Sequence, residues 1–170
     1  MRYFIKIALS LLVVLQMVGC KSQYDALLKS NDVDAKYKGA FEYFNRGKYS
    51  RAVELFDQLQ LATRGTSKDD TVQFYLGLSN FKYGDYTIAE ANFDNFISYF
   101  PRSPFTQEAK YLRIECLYRS TYRFELDQQP THKALSAIDV FMYEYPTSKY
   151  DEKIKFMVED LQERLDRKSY

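Results

Sequence analysis

The strongest constraint on this chain is that it repeats itself. Tyr37, Phe74 and Tyr111 are spaced 37 and 37 residues apart, and Phe44, Phe81 and Tyr118 keep the same interval. A second set, Ala52, Ala89 and Ala134, is spaced 37 and 45 apart, as are Phe56, Phe93 and Ile138, and Leu59, Phe96 and Phe141. Two sets that differ in their last interval mark two helices per unit. The eight extra residues fall between the two helices of the third unit, within 119–130. A repeat of this size is one supersecondary unit that buries its apolar face only by stacking on its neighbours.

Each unit reads as a helical hairpin. Gly47-Lys48-Tyr49 and Gly84-Asp85-Tyr86 are tight turns, because glycine suits the left-handed position that ends a helix. Phe93, Phe96, Ile97 and Phe100, and then Ile138, Phe141, Met142 and Tyr145, recur at helical spacing. Pro101 and Pro146 stop these helices. Ser103 and Ser148 stand where N-caps belong, with Pro104 in the position proline prefers at a helix start. Ser148 and Asp151 are close to a capping box. These signals predict helices over 35–46, 49–61, 70–83, 86–100, 104–121, 131–145 and 148–167. The sequence holds 16 Tyr and 13 Phe against 6 Gly and 4 Pro, which favours helices packed by aromatics over a glycine-rich sandwich or nucleotide-binding fold.

The pattern resembles the tetratricopeptide repeat, a helix pair of about 34 residues. The second unit is most similar, through Leu76-Gly77, Gly84-Asp85-Tyr86, Ala89, Phe93 and Pro101. Unit one keeps Ala40, Gly47, Tyr49, Ala52 and Phe56, and unit three keeps Ala134 and Pro146. The expected fold is therefore all-α, a tetratricopeptide-repeat solenoid of antiparallel helical hairpins over 33–170, with about three hairpins and a final helix.

The first residues have a different logic. Arg2 and Lys6 give a positive start, and Ile7 to Val18 is apolar except for Ser10 and Gln16. Twelve helical residues span roughly 18 Å, well short of a ~30 Å bilayer core. This is a signal-peptide core, and it ends at Met17-Val18-Gly19-Cys20. A small residue followed by Cys at that place resembles a bacterial lipobox. Residues 1–19 are expected to be a lipoprotein signal peptide, Cys20 the lipidated residue, and 20–32 a lipidated N-terminus and linker. Lys21 rather than Asp follows the cysteine; by the same resemblance the anchor lies in the outer membrane, with the body facing the periplasm.

Charge and chemistry narrow the function further. There are 24 basic and 23 acidic side chains, a net charge of +1, whereas a nucleic-acid binder shows a basic excess. One His and two Cys leave little material for a zinc site or a triad, and no cofactor is expected. With Cys20 lipidated, Cys116 has no intramolecular partner and reads as a buried thiol. His132 reads as exposed, and Asp69-Asp70 as helix caps. No nucleophile and base are brought together, so an enzyme such as a helical lipoprotein hydrolase is disfavoured.

Two local features carry a narrower resemblance. The unit junctions read Tyr99-Phe100-Pro101-Arg102-Ser103-Pro104-Phe105 and Glu144-Tyr145-Pro146-Thr147-Ser148-Lys149-Tyr150. The third unit carries Asp127-Gln128-Gln129-Pro130-Thr131 in its inserted loop, and Lys36 to Ala40 fits the same pattern. Together these resemble the BamD/YfiO family of lipoproteins of the outer-membrane β-barrel assembly (BAM) machinery, over residues 17–168. The resemblance implies a non-enzymatic scaffold that binds unfolded outer membrane protein segments, a BamA-like barrel subunit and other BAM lipoproteins. It marks Asp127, Gln128 and Thr131 as the family loop motif. Family members continue through more repeats, so the last helix is either a cap or the edge of a truncated sequence. The alternative is another periplasmic adaptor lipoprotein serving cell-wall or division machinery.

Under the tetratricopeptide resemblance the first helix of each unit lines a concave face. That places Tyr37, Phe41 and Phe44, then Phe74, Leu78 and Phe81, then Tyr111 and Tyr118 in a peptide-binding groove. An aromatic ladder of this kind seats extended, aromatic-rich segments. Lys82 and Arg119, at the helix ends, are candidate partners for a peptide carboxylate. Each groove aromatic is equally readable as inter-repeat core, and the two cations as a solvated edge.

Overall fold

The computed structural model describes residues 23–121 and 128–168, and every regular element among them is a helix. The signal segment 1–19, Cys20 and Asp127 lie outside the described residues. A short helix, α1, covers 23–29. It is followed by α2 (Val33–Asn45), α3 (Tyr49–Ala62), α4 (Asp69–Tyr83), α5 (Tyr86–Tyr99), α6 (Thr106–Ser120), α7 (Gln129–Glu144) and α8 (Asp151–Lys168). The hairpins of the sequence reading are thus α2/α3, α4/α5 and α6/α7. The described chain forms two compact units, one up to Ala62 and one from Thr63.

In the first unit α2 and α3 pack together. Asp32 caps α2 by accepting from the Ala35 amide at 2.9 Å. Ala40 and Ala52 are fully buried, and with Leu55, Phe56 and Leu59 they form the seam. Tyr24 of α1 closes over it. Its hydroxyl donates to Glu54 at 2.6 Å and its ring meets Tyr43 edge-on at 5.2 Å. Burial, with the Glu54 carboxylate beside it, raises the Tyr24 phenol above the usual tyrosine range.

The second unit runs from α4 to α8, each helix packing on the next, with α4 also touching α6. Its turns follow the sequence signals. Gly84 adopts φ +98° and its amide donates to the Asn80 and Phe81 carbonyls, ending α4. Asp85 then caps α5 through the Ile88 amide at 3.1 Å. Close approach of α4 and α5 depends on two small residues. A Cβ added at Gly77 would stand 2.9 Å from the Phe93 ring and 3.3 Å from Asn92 Cβ. Ala89 is fully buried on the facing helix. Replacing Ala89 by leucine inserts three carbons into this seam, and a loss of about 1–3 kcal/mol is expected in a urea or thermal melt. An unchanged melt contradicts this placement.

The junctions correct one detail of the sequence reading. Ser103 and Ser148 are not helix N-caps, and α6 and α8 begin at Thr106 and Asp151. Both serines instead open a turn. The Ser103 carbonyl accepts from the Thr106 amide at 3.1 Å and the Ser148 carbonyl from the Asp151 amide at 3.2 Å. The return arm of the expected capping box is present, because the Ser148 amide donates to Asp151 at 3.0 Å. Asp69 and Asp70 are also not N-caps, since Lys68 holds that position. Asp69 accepts from the Gly65 amide at 2.7 Å, and Asp70 accepts from the Ser103 hydroxyl at 2.8 Å. Likewise α7 starts ahead of Thr131, with Gln128 at the N-cap position and Pro130 in its first turn.

Candidate functional site

Each junction turn carries an aromatic ring onto the preceding hairpin. The Phe105 ring stacks on Phe74 at 4.6 Å with an 11° interplanar angle. The Tyr150 ring stacks on Tyr111 at 3.9 Å and 3°. Phe74 is consequently 2% exposed and Tyr111 4% exposed. These two residues, placed in a groove by the sequence reading, are core residues that bind one hairpin to the next. Burial, with the Glu115 carboxylate close by, holds the Tyr111 phenol above the usual tyrosine range.

The other expected groove residues are arranged differently. Leu78, Phe81 and Tyr118 are half-buried against the same core. Phe81 meets Tyr86 edge-on at 5.5 Å. The Arg119 guanidinium lies 4.9 Å from the Tyr86 ring centre and 5.6 Å from that of Phe81. It pairs with Glu115 at 2.7 Å and donates to the Tyr86 hydroxyl at 3.2 Å. Its charge is thus already matched within the fold, while Lys82 is exposed at the end of α4. In the first unit Tyr37, Phe41 and Phe44 are half-buried. There Tyr37 packs on Phe41 at 4.9 Å, Phe41 meets Phe56 edge-on at 5.1 Å, and Phe44 meets Tyr49 at 5.5 Å.

A cleft of about 360 Å³ opens between α6 and α8. Tyr111, Glu115, Tyr118 and Arg119 form one wall, and Glu152, Lys153, Phe156 and Met157 the other. Tyr118 of the α6 wall is held by a polar network. The Tyr118 hydroxyl donates to Asp160 at 2.7 Å, and Arg164 pairs with Asp160 while lying 5.0 Å over the Tyr118 ring. Arg164 also donates to the Thr121 hydroxyl at 2.9 Å. The cleft thus sets the aromatic rings of Tyr111, Tyr118 and Phe156 beside the charged groups of Glu115, Arg119, Glu152 and Lys153.

The α8 wall was missed in the sequence although a signal for it existed. Phe156 stands 45 residues after Tyr111, the same last interval as Ala89 to Ala134. It is the fourth member of the Tyr37, Phe74, Tyr111 series. Of the loop motif, Gln128 sits at the α7 N-cap and Thr131 is 6% exposed.

Cys116 is fully buried. Burial, followed by the nearby Glu90 and Glu115 charges, pushes its thiol up to about 12. A thiol held neutral and covered is inert as a nucleophile. His132 is exposed, as expected. No helix among the described residues is long and apolar enough to cross a membrane.

The chain is 24% identical over 159 residues to the outer membrane protein assembly factor BamD of Caulobacter vibrioides, covering 92% of this chain and 52% of the relative. The chain therefore spans about half the length of the curated relative it matches. A family model described as YfiO, outer membrane lipoprotein, matches residues 29–170, so α2 to α8 and the α6–α8 cleft all lie within it, and this chain belongs to the YfiO family of outer membrane lipoproteins.

Proposed function

We propose that this protein is a non-enzymatic scaffold lipoprotein of outer-membrane β-barrel assembly. In this reading it is lipid-anchored at Cys20, faces the periplasm, and holds unfolded outer membrane protein segments while bridging a BamA-like barrel subunit and other BAM lipoproteins. The observation that carries the reading is the family match over 29–170, supported by the printed role of the Caulobacter relative as an assembly factor. The half-buried Tyr118, which lines the α6–α8 cleft, and the half-buried Phe81, which lies under the Arg119 guanidinium of the same wall, supply flat surface for such segments. The inert Cys116 fits a binding role.

The test is capture of an aromatic-ended outer membrane peptide. Phe81→Ala combined with Tyr118→Ala is expected to weaken it by about thirty-fold, the value of a ~2 kcal/mol anchor. Circular dichroism is run alongside. Full helicity with unchanged capture overturns Phe81 and Tyr118 as the substrate surface.

A further inference from the structure

The short helix α1 fixes which end of the first unit lies nearest Cys20. A Cβ added at Gly39 would overlap the Leu27 side chain, and the Tyr24 ring meets Tyr43 at 5.2 Å. As α1 is followed back from 27 to 24, its contacts on α2 advance from 39 to 43, so the two helices are antiparallel. Tyr24 also lies 4.8 Å from the Arg51 guanidinium and donates to Glu54, both in the first half of α3. The start of α1 therefore stands at the end of the unit that carries the α2–α3 turn. Cys20 precedes that start by three residues. Three residues reach at most about 11 Å, whereas the stretch from Cys20 to α2 would reach about 45 Å if α1 were not docked. An anchor at Cys20 thus holds this end of the unit near the distance over which a surface charge is felt, roughly 10 Å.

The turn at that end breaks a local rule. Gly47, Lys48 and Tyr49 stand 37 residues before Gly84, Asp85 and Tyr86, and Asp85 caps α5 through the Ile88 amide. Lys48 holds the same N-cap position, because its carbonyl accepts from the Ala52 amide at 3.1 Å. A lysine side chain has no acceptor to cap with, and its charge opposes the helix dipole. A helix start given up in this way points to a position used for something besides folding. Asn45, Arg46, Gly47 and Lys48 are all exposed and include no carboxylate. The acids of these elements lie outside the turn. Glu42 is one helical turn back on α2, where it pairs with Arg46 at 3.1 Å, Glu54 is on α3, and Asp25 is on α1.

We infer that the turn over 45–48 is a bilayer-contacting surface, on which Arg46 and Lys48 meet the phosphates of anionic phospholipid headgroups while α1 is the strut between anchor and unit. The inference rests on the Cys20 anchor of the proposed function. Two cations are fewer than the clusters of about four to eight that hold a protein to anionic lipid unaided. They orient a body that the acyl chains already hold.

For the test, the lipidated full chain is reconstituted in vesicles of phosphatidylethanolamine and phosphatidylglycerol that carry a headgroup quencher. A fluorophore is attached through Ser50→Cys or Leu61→Cys, exposed positions roughly 16 Å apart at the two ends of α3. Cys116 is buried and stays unlabelled. Quenching is expected to be several-fold stronger at position 50. Lys48→Asp is expected to raise the melting temperature by about 2–4 °C, as a restored cap, while bringing the quenching at the two positions close to equal. Arg46→Gln combined with Lys48→Gln is expected to lose the same preference with helicity intact, and so is the native turn on phosphatidylcholine alone. A chain that does not float with the vesicles overturns the Cys20 anchor and this proposal with it. A chain that floats but is quenched equally at both positions overturns the proposal alone and leaves the turn to a protein partner. A label at position 50 that quenches itself on crowded vesicles also overturns it, because the turn then faces a second copy. So does a preference that survives Lys48→Asp or is as strong on phosphatidylcholine.

Discussion

Replacing Phe74 by alanine is expected to destabilise the chain by about 3–5 kcal/mol, the range for deleting a fully buried phenylalanine. Its ring is shared by three elements. It stacks on Phe105 at 4.6 Å, meets Phe96 edge-on at 5.7 Å and lies 6.2 Å from Phe93. Truncation removes one side of each pair and leaves a cavity that the surrounding α4, α5 and junction atoms fill only in part. Phe81→Ala offers the internal comparison. Its ring is half-buried and a smaller loss, near 1 kcal/mol, is expected. Chemical denaturation of the two single variants measures the difference. If Phe74→Ala costs no more than Phe81→Ala, the ring is not a core residue and the groove assignment made from the sequence is restored.

Removing the Cys20 thiol is expected to have an all-or-none effect on location. Cys20→Ser leaves no sulfur for a thioether, and lipidation should be abolished. No helix among the described residues is long and apolar enough to cross a membrane. The chain's charges nearly balance, so a polybasic attraction to anionic lipid is missing. The apolar run over 7–18 is too short to span. Stable anchoring of an otherwise near-neutral body takes two or more acyl chains. Fractionation after a high-salt wash should find the native chain in the membrane pellet and the Cys20→Ser chain in the supernatant. A variant that stays in the pellet shows either that the lipobox reading is wrong or that another anchor exists.

The hairpins were legible because their determinants are local. Gly84 needs a left-handed backbone, Asp85 caps through an amide three residues on, and the apolar period is set by helix geometry. All of these are written within a few residues of one another. The starts of α6 and α8 were misplaced for the opposite reason. Ser103 followed by Pro104 has the form of a cap and a first helical residue. The Ser103 hydroxyl accepts from the Phe105 amide at 3.3 Å and donates to Asp70, 33 residues away, so it holds a turn ahead of α6 through a partner that no local signal names.

The same limit governs the site. Phe74 and Phe81 are seven residues apart on one face of α4, and nothing local distinguishes them. One is fully buried and the other half-buried, and the Phe105 ring is stacked on Phe74. The reverse holds at Phe156, which the repeat interval aligns with Phe74 and Tyr111 and which is 63% exposed. Arg119 was read as a candidate carboxylate clamp, while its engagement by Glu115 and Tyr86 joins α6 to the start of α5, a contact that periodicity does not encode.

Affinity isolation of the lipidated protein from its own envelope, followed by identification of the co-purifying chains, tests the central claim most directly. A BamA-like barrel subunit in the eluate, retained through a moderate-salt wash, is the predicted result. An eluate that lacks a barrel subunit and instead contains cell-wall or division proteins contradicts the assignment to barrel assembly.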